Sequence, residues 1–240
     1  MNQKKIAILQ SNYIPWKGYF DLISSVDEFI LYDDMQYTRR DWRNRNRIKT
    51  ANGILWLSIP VQVKGKYFQS IRDTKVSTSD WNKKHWQTIV HSYSKAPYFA
   101  DYKEFFENLY LSTTEEYLSE INTKFIIAIN KLLNIKTPIR SSSEFDLAEG
   151  KSERLLELCK KLNATTYLSG PAARDYLDQA LFANEKIDIE WMDYSGYSEY
   201  KQLFPPFDHA VSIIDLLFNC GPHAPGFMKQ AIQNEPSLLG

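Results

Sequence analysis

The chain has 240 residues, of which 43% are hydrophobic and 24% charged, so it can bury a sizeable core and does not resemble a disordered chain. Its 29 Lys and Arg residues balance 29 Asp and Glu residues, which argues against a general binder of nucleic acid or anionic membranes but leaves room for a local anion pocket. The apolar run near the N-terminus is too short for a signal peptide or membrane anchor, and two cysteines give no disulfide framework. We therefore expect a cytoplasmic protein with no membrane partner.

The first part of the chain predicts a strand–helix–strand unit. KKIAILQ (4–10) and EFILYDD (28–34) are short apolar runs typical of buried strands, and GYFDLISSVDEF between them has apolar residues at helical spacing. Such a unit requires a parallel sheet, in which ligands bind beyond the carboxyl ends of the strands. QSNYIPWKG and DDMQYTRR follow those ends, and we expect the functional site there.

The next segment, RNRIKTANGILWLSIPVQV, predicts a β-hairpin with its turn at Asn52-Gly53. Four basic residues alternate along its first arm and would share one face of a strand: Arg43, Arg45, Arg47 and Lys49. This face either lines an anion pocket, with Asp33, Asp34 and Asp41 nearby, or is a solvated edge whose charges resist aggregation.

The rest of the chain predicts a helical insertion at about 80–135, broken at Ala96-Pro97 and near Ser112, and then a return to α/β alternation. TPIRSSSEF, TTYLSG and IDIEWMDY are the expected strands, with a helix from Ala172 between the last two. The predicted fold is one α/β domain over residues 1–240, with a parallel Rossmann-like sheet, a β-hairpin and the helical insertion.

Three groups of residues are candidates for binding a substrate. The turn after the first strand offers unsatisfied N–H groups at a helix start and an indole face for stacking; its candidates are Gln10, Asn12, Tyr13, Trp16 and Gly18. The basic stretch offers guanidinium forks for phosphate or carboxylate; its candidates are Asp33, Gln36, Tyr37, Arg40, Arg43 and Arg45. The turn after TTYLSG repeats the strand–turn–helix pattern; its candidates are Ser169, Gly170 and Tyr176.

Each of these groups also has a structural interpretation, in which NYIPW is only a rigid turn and the basic residues are a solvated face. GxGxxG and GxxxxGK[ST] are absent, so neither a dinucleotide nor a P-loop site is expected. No ligand spacing supports a metal, and no cofactor is expected.

Candidate acid–base residues are His85, His91, Asp34 and Asp175. His85 and His91 are six residues apart on a predicted helix and do not share a face, and a surface or structural imidazole is the alternative for each. Asp34 ends the second strand, and Asp175 follows the turn after TTYLSG.

Five stretches resemble the WbqC-like family: AILQSNYIPWKGYFDLI, DDMQYTRRDWRNRNRIKTANG, HSYSKAPYF, YLSGPAARDYL and SIIDLLFNCGP. They spread from Ala7 to Pro222 and so cover nearly the whole chain. Ser11 is a departure, because the family pattern has proline there, and it changes the rigidity of the turn more than its chemistry.

This resemblance implies a place in bacterial O-antigen or other surface-polysaccharide biosynthesis, where some members are described as glycine transferases acting on amino sugars. It implies an enzyme that acylates the amino group of a nucleotide-linked amino sugar with glycine or a similar unit, from a small acyl donor or an aminoacyl-tRNA. The alternative from another class is a non-catalytic binding or assembly factor. The oligomeric state stays open.

A likeness at the level of the fold connects the opening GYFDLI…DEFILYDDMQY to nucleotidyltransferases such as pantothenate synthetase. It implies a nucleotidyltransferase-like sheet and a third candidate function, nucleotidyl transfer. Gly18-Tyr19 stands where those enzymes have glycine-histidine, and the missing imidazole argues against adenylation.

Overall fold

The computed structural model describes residues 3–147 and 149–229. The regular elements in these ranges are, in chain order, β1 (Lys5–Leu9), α1 (Lys17–Ser24), β2 (Glu28–Leu31), β3 (Arg45–Thr50), β4 (Gly53–Ser58), α2 (Trp81–Tyr93), α3 (Phe99–Leu111), α4 (Leu118–Leu132), β5 (Ile139–Ser141), α5 (Ser152–Lys161), β6 (Thr166–Ser169), α6 (Gln179–Asn184), β7 (Asp188–Trp191) and α7 (Ile213–Cys220). Short 3-10 helices cover Ser142–Glu144, Pro171–Asp175 and Gly221–Phe227.

Five strands form one parallel sheet in the order β5-β2-β1-β6-β7, and β3 and β4 form a separate antiparallel hairpin. In β1, Ala7 pairs with Phe29 of β2 on one side and with Leu168 of β6 on the other. The chain builds β2 and β5 outward on one side of β1 before it crosses to β6 and β7. The α/β class, the parallel sheet and the hairpin are thus confirmed.

The sheet is buried on both faces because its strand residues alternate between two cores. Ala7 and Phe29 face the larger core, which also contains residues of α1 to α4 and α7. Ile6 and Ile30 face the smaller core, packed by α5 and α6. Burial on both faces explains why these strands read as continuous apolar runs in the sequence.

Three helices occupy residues 81–132, where the sequence predicts the helical insertion. Their breaks fall as expected, because α3 begins after Pro97 and ends before Ser112. Phe218 of α7 lies against this helical segment, with ring centroids 5.1 Å from Phe99 and 5.3 Å from Phe106. Aromatic packing therefore joins the C-terminal helix to the insertion.

Two local predictions are wrong. The hairpin turn is Ala51-Asn52, because Thr50 pairs with Gly53, which opens β4 with a φ of 99°. The helix expected from Ala172 is a 3-10 turn, and α6 begins later, where the Asp178 carboxylate accepts hydrogen bonds from the next helical N–H groups. The Asp178 side chain is the N-cap of α6, and it fixes the residue at which this helix begins.

The described residues contain no helix with both the length and the hydropathy needed to cross a bilayer.

Phe218→Ala should lower the free energy of unfolding by about 3–5 kcal/mol, because it opens a cavity between α7 and the helical segment. Phe68→Ala is the matched control, since that ring is 85% exposed and its loss should change stability by no more than about 0.5 kcal/mol. Urea denaturation of the two variants and the parent measures both values. Equal midpoints for Phe218→Ala and the parent would contradict this packing.

Candidate functional site

The turn that follows β1 is held by the hairpin. The side-chain amide of Asn46, in β3, donates hydrogen bonds of 3.0 Å to the carbonyls of both Tyr13 and Ile14. The main-chain N–H of Tyr13 donates to the carbonyl of Trp42 at 3.0 Å. Ile14 has a φ of 36°, a strained value for a β-branched residue, so the hairpin holds a conformation that the turn would not keep by itself.

Arg43 brings together predicted residues from two groups. Its guanidinium donates to the side-chain oxygen of Gln10 at 3.1 Å and to that of Asn12. The Asp41 carboxylate lies 3.7 Å from the same guanidinium. Because a guanidinium has five N–H donors, Arg43 positions the end of β1 and keeps donor capacity for an anion.

A cavity of about 220 Å³ opens beside this turn, and its walls come from three parts of the chain: Asn12, Pro15, Trp16, Trp42, Asn46 and Ala210. The Trp16 ring packs against Tyr194 at 5.3 Å. A Cβ on Gly18 would lie 2.3 Å from the Trp16 ring, so glycine is needed for the indole to take this position. Two indoles and a proline make the cavity wall largely apolar.

Aromatic and guanidinium groups continue from the cavity along the hairpin. Trp42 and Trp56 are 39% and 40% exposed, with ring centroids 5.3 Å apart. The Arg45 guanidinium lies 4.1 Å from the Trp56 ring centroid, and Arg47 lies 5.8 Å from both rings. These residues form a surface of cations and indoles that adjoins the cavity through Trp42.

The four alternating basic residues do not share a single open face. Arg43 precedes β3 and turns toward the end of β1. Arg45, Arg47 and Lys49 donate to the main-chain carbonyls of Arg40, Ala210 and Pro206, respectively. The stretch is therefore neither a solvated edge nor a bare cationic lining, because much of its donor capacity is used within the protein.

The two aspartates after β2 have different partners, and neither lines the cavity. Asp33 is buried and accepts from the N–H of Ser11 at 2.8 Å and from the hydroxyl of Ser119. Burial raises the pKa of the Asp33 carboxyl, and the hydrogen bonds from Ser119 and Ser11 oppose that rise. Asp34 pairs with Arg72 at 2.7 Å and accepts from a serine hydroxyl.

The other predicted binding residues lie outside the cavity lining. Gln36 is exposed and donates to the Tyr67 carbonyl, Tyr37 is buried, and Arg40 is exposed. The hydroxyl of Ser169 donates to the hydroxyl of Tyr167, a residue of the smaller core. The chain after β6 contains Gly170, Asp175 and Tyr176. Asp175 is exposed, and Tyr176 is 59% exposed.

His85 is a buried neighbour of the turn. Its Nδ1 lies 2.9 Å from the Tyr13 hydroxyl, which also lies 2.8 Å from the Tyr110 hydroxyl. Burial lowers the pKa of His85 to about 4, while a hydrogen bond with the Ser58 main chain opposes the change. The imidazole is thus neutral at pH 7 and is built into the core. His91 is exposed on α2, beside a groove with Trp86 and Glu107.

Sequence reasoning missed four lining residues: Pro15, Trp42, Asn46 and Ala210. Trp42 and Asn46 lie within the basic stretch, and the alternation of the arginines already places Asn46 on the opposite, inward face. Ala210 comes from the last part of the chain, and its packing on the hairpin has no local signal.

Within residues 3–147 and 149–229, no three His, Cys, Asp or Glu side chains are grouped so that they could hold a metal ion.

The sequence model of the WbqC-like protein family matches residues 10–226. A Mycobacterium tuberculosis protein described as "Uncharacterized protein Rv1507c" is 51% identical over 230 residues, which cover 96% of this chain and the whole of that protein. No solved structure matches the chain.

The depressed pKa of His85 predicts a pH dependence of stability. In the unfolded chain His85 binds a proton as the pH falls below its ordinary pKa of 6.5. In the folded protein it binds that proton only near pH 4, because burial lowers its pKa to about 4. The free energy of unfolding should therefore lose about 1.4 kcal/mol per pH unit from this group as the pH falls through that window. Comparison of the parent with His85→Gln, by urea denaturation at several pH values, isolates this contribution.

His91→Gln controls for replacing an imidazole on the same helix, and at pH 7 its exposed position should keep stability within about 0.5 kcal/mol of the parent. If parent and His85→Gln lose stability in parallel from pH 6.5 to 4, burial does not lower the pKa of His85 in the folded protein.

Proposed function

The chain belongs to the WbqC-like protein family, and from that premise we propose that it is a transferase that acylates the amino group of a nucleotide-linked amino sugar. The acyl unit is glycine or a similarly small group, and the product belongs to surface-polysaccharide biosynthesis. The resemblance supplies the reaction class. The geometry of residues 10–16 and 42–47 supplies the binding site.

The observation that carries the proposal is the cavity between two indoles with Arg43 bonded to its wall residue Asn12. An indole stacks on the flat face of a base and packs on the C–H face of a sugar ring. A guanidinium binds phosphate oxygens. A nucleotide-linked sugar contains all three of these groups in one molecule.

The size of the cavity fits part of such a substrate. Drug-sized ligands occupy pockets of roughly 300–1,000 Å³, whereas this cavity has about 220 Å³. It therefore suits one ring, and the rest of the molecule would extend over the exposed Trp42–Trp56 surface. Asn12 supports this arrangement, because among the described residues its amide nitrogen donates no hydrogen bond and can bind a ring hydroxyl or base edge.

The strand order also supports the proposal. Counted along the chain, the parallel strands lie in the order 3-2-1-4-5, which agrees with the first five positions of the Rossmann order 3-2-1-4-5-6. Such sheets bind ligands where the direction of winding reverses, here beyond the ends of β1 and β6. Asn12 lies three residues after the end of β1, so the cavity begins at that edge.

The chemistry needs little from the protein if the donor is already an activated ester. The sugar amine attacks the acyl carbon, the new C–N bond forms, the C–O ester bond breaks, and the amine proton ends on the leaving hydroxyl oxygen. Positioning the two reactants can supply much of the acceleration. His85, His91, Asp34 and Asp175 remain candidate bases, although none lines the cavity.

That same observation favours a second candidate, a binding protein for nucleotide sugars without catalysis. The described lining residues of the cavity include amides, indoles, a proline and an alanine, and none of them is titratable. A binding protein needs no acid or base, so this wall suits it equally well.

Trp42→Ala should weaken the binding of a 4-amino sugar nucleotide by roughly 1–3 kcal/mol, because it removes a stacking wall of the cavity. Trp42→Phe should restore part of the affinity. Tyr67→Ala is the control, since it removes an aromatic ring that is 75% exposed and lies outside the cavity lining. Titration calorimetry measures all three, and parental affinity in Trp42→Ala would exclude the cavity as the binding site.

Turnover separates the two candidates. The protein is incubated with a 4-amino sugar nucleotide and, in separate reactions, glycyl-tRNA or a small activated glycyl ester, and mass spectrometry detects the amide product. We expect an increase by one glycyl unit, lost in Trp42→Ala and retained in Tyr67→Ala. Binding that is intact in calorimetry without product from either donor would support the binding protein instead.

A further inference from the structure

The loop KGKYF (Lys64–Phe68) carries the two most exposed large apolar side chains of the described residues. Tyr67 is 75% exposed and Phe68 is 85% exposed. Their rings touch edge to face, with centroids 5.0 Å apart and an interplanar angle of 89°. Exposed aromatic rings at the tip of a loop are energetically costly in water and point to a surface that receives them.

The backbone of this loop is fixed in place. Two successive turns join Lys66 N–H to the Val63 carbonyl and Gln69 N–H to the Lys66 carbonyl. From behind, the Gln36 side chain donates to the Tyr67 carbonyl at 2.8 Å, and the Tyr37 N–H donates to the Gln69 carbonyl at 2.9 Å. The aromatic tip is therefore presented by a supported loop.

Four exposed cations lie in the loop or in the segment that contacts it: Lys64 and Lys66, and Arg39 with its neighbour Arg40. Arg39 donates to the Val63 carbonyl, so the two segments lie together, and Lys66 donates to the Gln62 side chain within its own segment. Within the described ranges none of the four has a carboxylate oxygen within 4.0 Å.

Nearby carboxylates are engaged elsewhere. Asp41 accepts from Thr38 and lies 3.7 Å from the Arg43 guanidinium. Asp73 accepts from Ser70, and Arg72 lies 4.0 Å from it. A neutral chain thus has a local positive excess around an apolar tip, a distribution that the net charge hides.

We propose that the KGKYF loop, with Arg39 and Arg40, is a site of peripheral attachment to an anionic lipid bilayer. The tyrosine and phenylalanine rings enter the interface between headgroups and acyl chains. The lysines and arginines remain at the level of the headgroups, where each gains from the negative surface potential. This binding is reversible and needs no membrane-spanning element.

Two other partners, another protein and single-stranded nucleic acid, fit this loop less well. Protein interfaces are depleted of lysine at their centres, whereas Lys64 and Lys66 flank the aromatic tip here. Single-stranded nucleic acid stacks on accessible parallel ring faces in a groove, whereas these rings meet at 89° on a projecting loop. An interfacial anchor requires only that apolar rings project and cations surround them.

The test is vesicle co-sedimentation of the full chain. Vesicles of 70:30 phosphatidylcholine and phosphatidylglycerol should bind the parent at least about tenfold more tightly than phosphatidylcholine alone. Tyr67→Ser with Phe68→Ser should weaken binding to the anionic vesicles by more than roughly tenfold. Lys64→Gln with Lys66→Gln should weaken it by about fivefold for each lysine, an effect that disappears at high salt.

Leu111→Ser with Ile127→Ser is the matched control, because it removes two apolar side chains that are 45% and 39% exposed outside the loop and should leave vesicle binding unchanged. Equal binding of the parent and the aromatic double variant would overturn the proposal. So would a loop-dependent affinity for tRNA or a loop-dependent dimer without vesicle binding. Sugar-nucleotide affinity is measured separately and should be parental in the loop variants, so failure here is distinct from failure of the transferase proposal.

Discussion

The structure depends on how the turn at residues 10–16 is held. The turn connects the central strand to α1 and includes a β-branched residue at positive φ, so it cannot rely on regular hydrogen bonds of its own. Asn46 of the hairpin binds two of its carbonyls, and the Pro15 carbonyl accepts from the N–H of Ile213 in α7. Tyr13 reaches the helical segment through its hydroxyl. Sheet, hairpin, helices and C-terminal segment therefore fix one another at this turn.

The same constraint explains where the buried carboxylates lie. Asp33 holds the turn to α4 through Ser11 and Ser119, and Asn122 of α4 donates to the Ser11 hydroxyl at 3.0 Å. Asp215 of α7 is likewise buried and accepts from tyrosine hydroxyls at 2.8 Å. A buried charge is tolerated only when several donors satisfy it, and such networks have few alternative arrangements. Through Ser11, the Asp33 network holds the turn whose residues Asn12, Pro15 and Trp16 line the cavity.

Much of the fold can be predicted from the sequence, because the parallel strands are continuous apolar runs and the helical breaks coincide with Pro97 and Ser112. The site is predictable only in part. The joining of Gln10 and Asn12 with Arg43 follows from their position after strand ends, as the sheet topology requires. The Ala210 wall depends on a contact between segments more than 160 residues apart, and no local periodicity encodes such a contact. The same holds for His85, whose burial is decided by how α2 packs on the turn.

The positive charges in the stretch from Arg39 to Lys49 have two different surroundings. The alternation of the later residues suggests a cationic face, yet main-chain carbonyls of the protein accept from Arg45, Arg47 and Lys49. The contacts of Arg47 and Lys49 dock the segment around residues 206–210 onto the hairpin, and the Arg45 guanidinium lies over the Trp56 ring. By contrast, the exposed Arg39 and Arg40 before the strand and the exposed Lys64 and Lys66 of the KGKYF loop have no carboxylate oxygen within 4.0 Å among the described residues. Charge that looks uniform in the sequence is thus divided between cations bonded to carbonyls of the protein and cations that face solvent. For Arg47 and Lys49 the accepting carbonyls, those of Ala210 and Pro206, come from a distant part of the chain, which no local pattern in the sequence predicts.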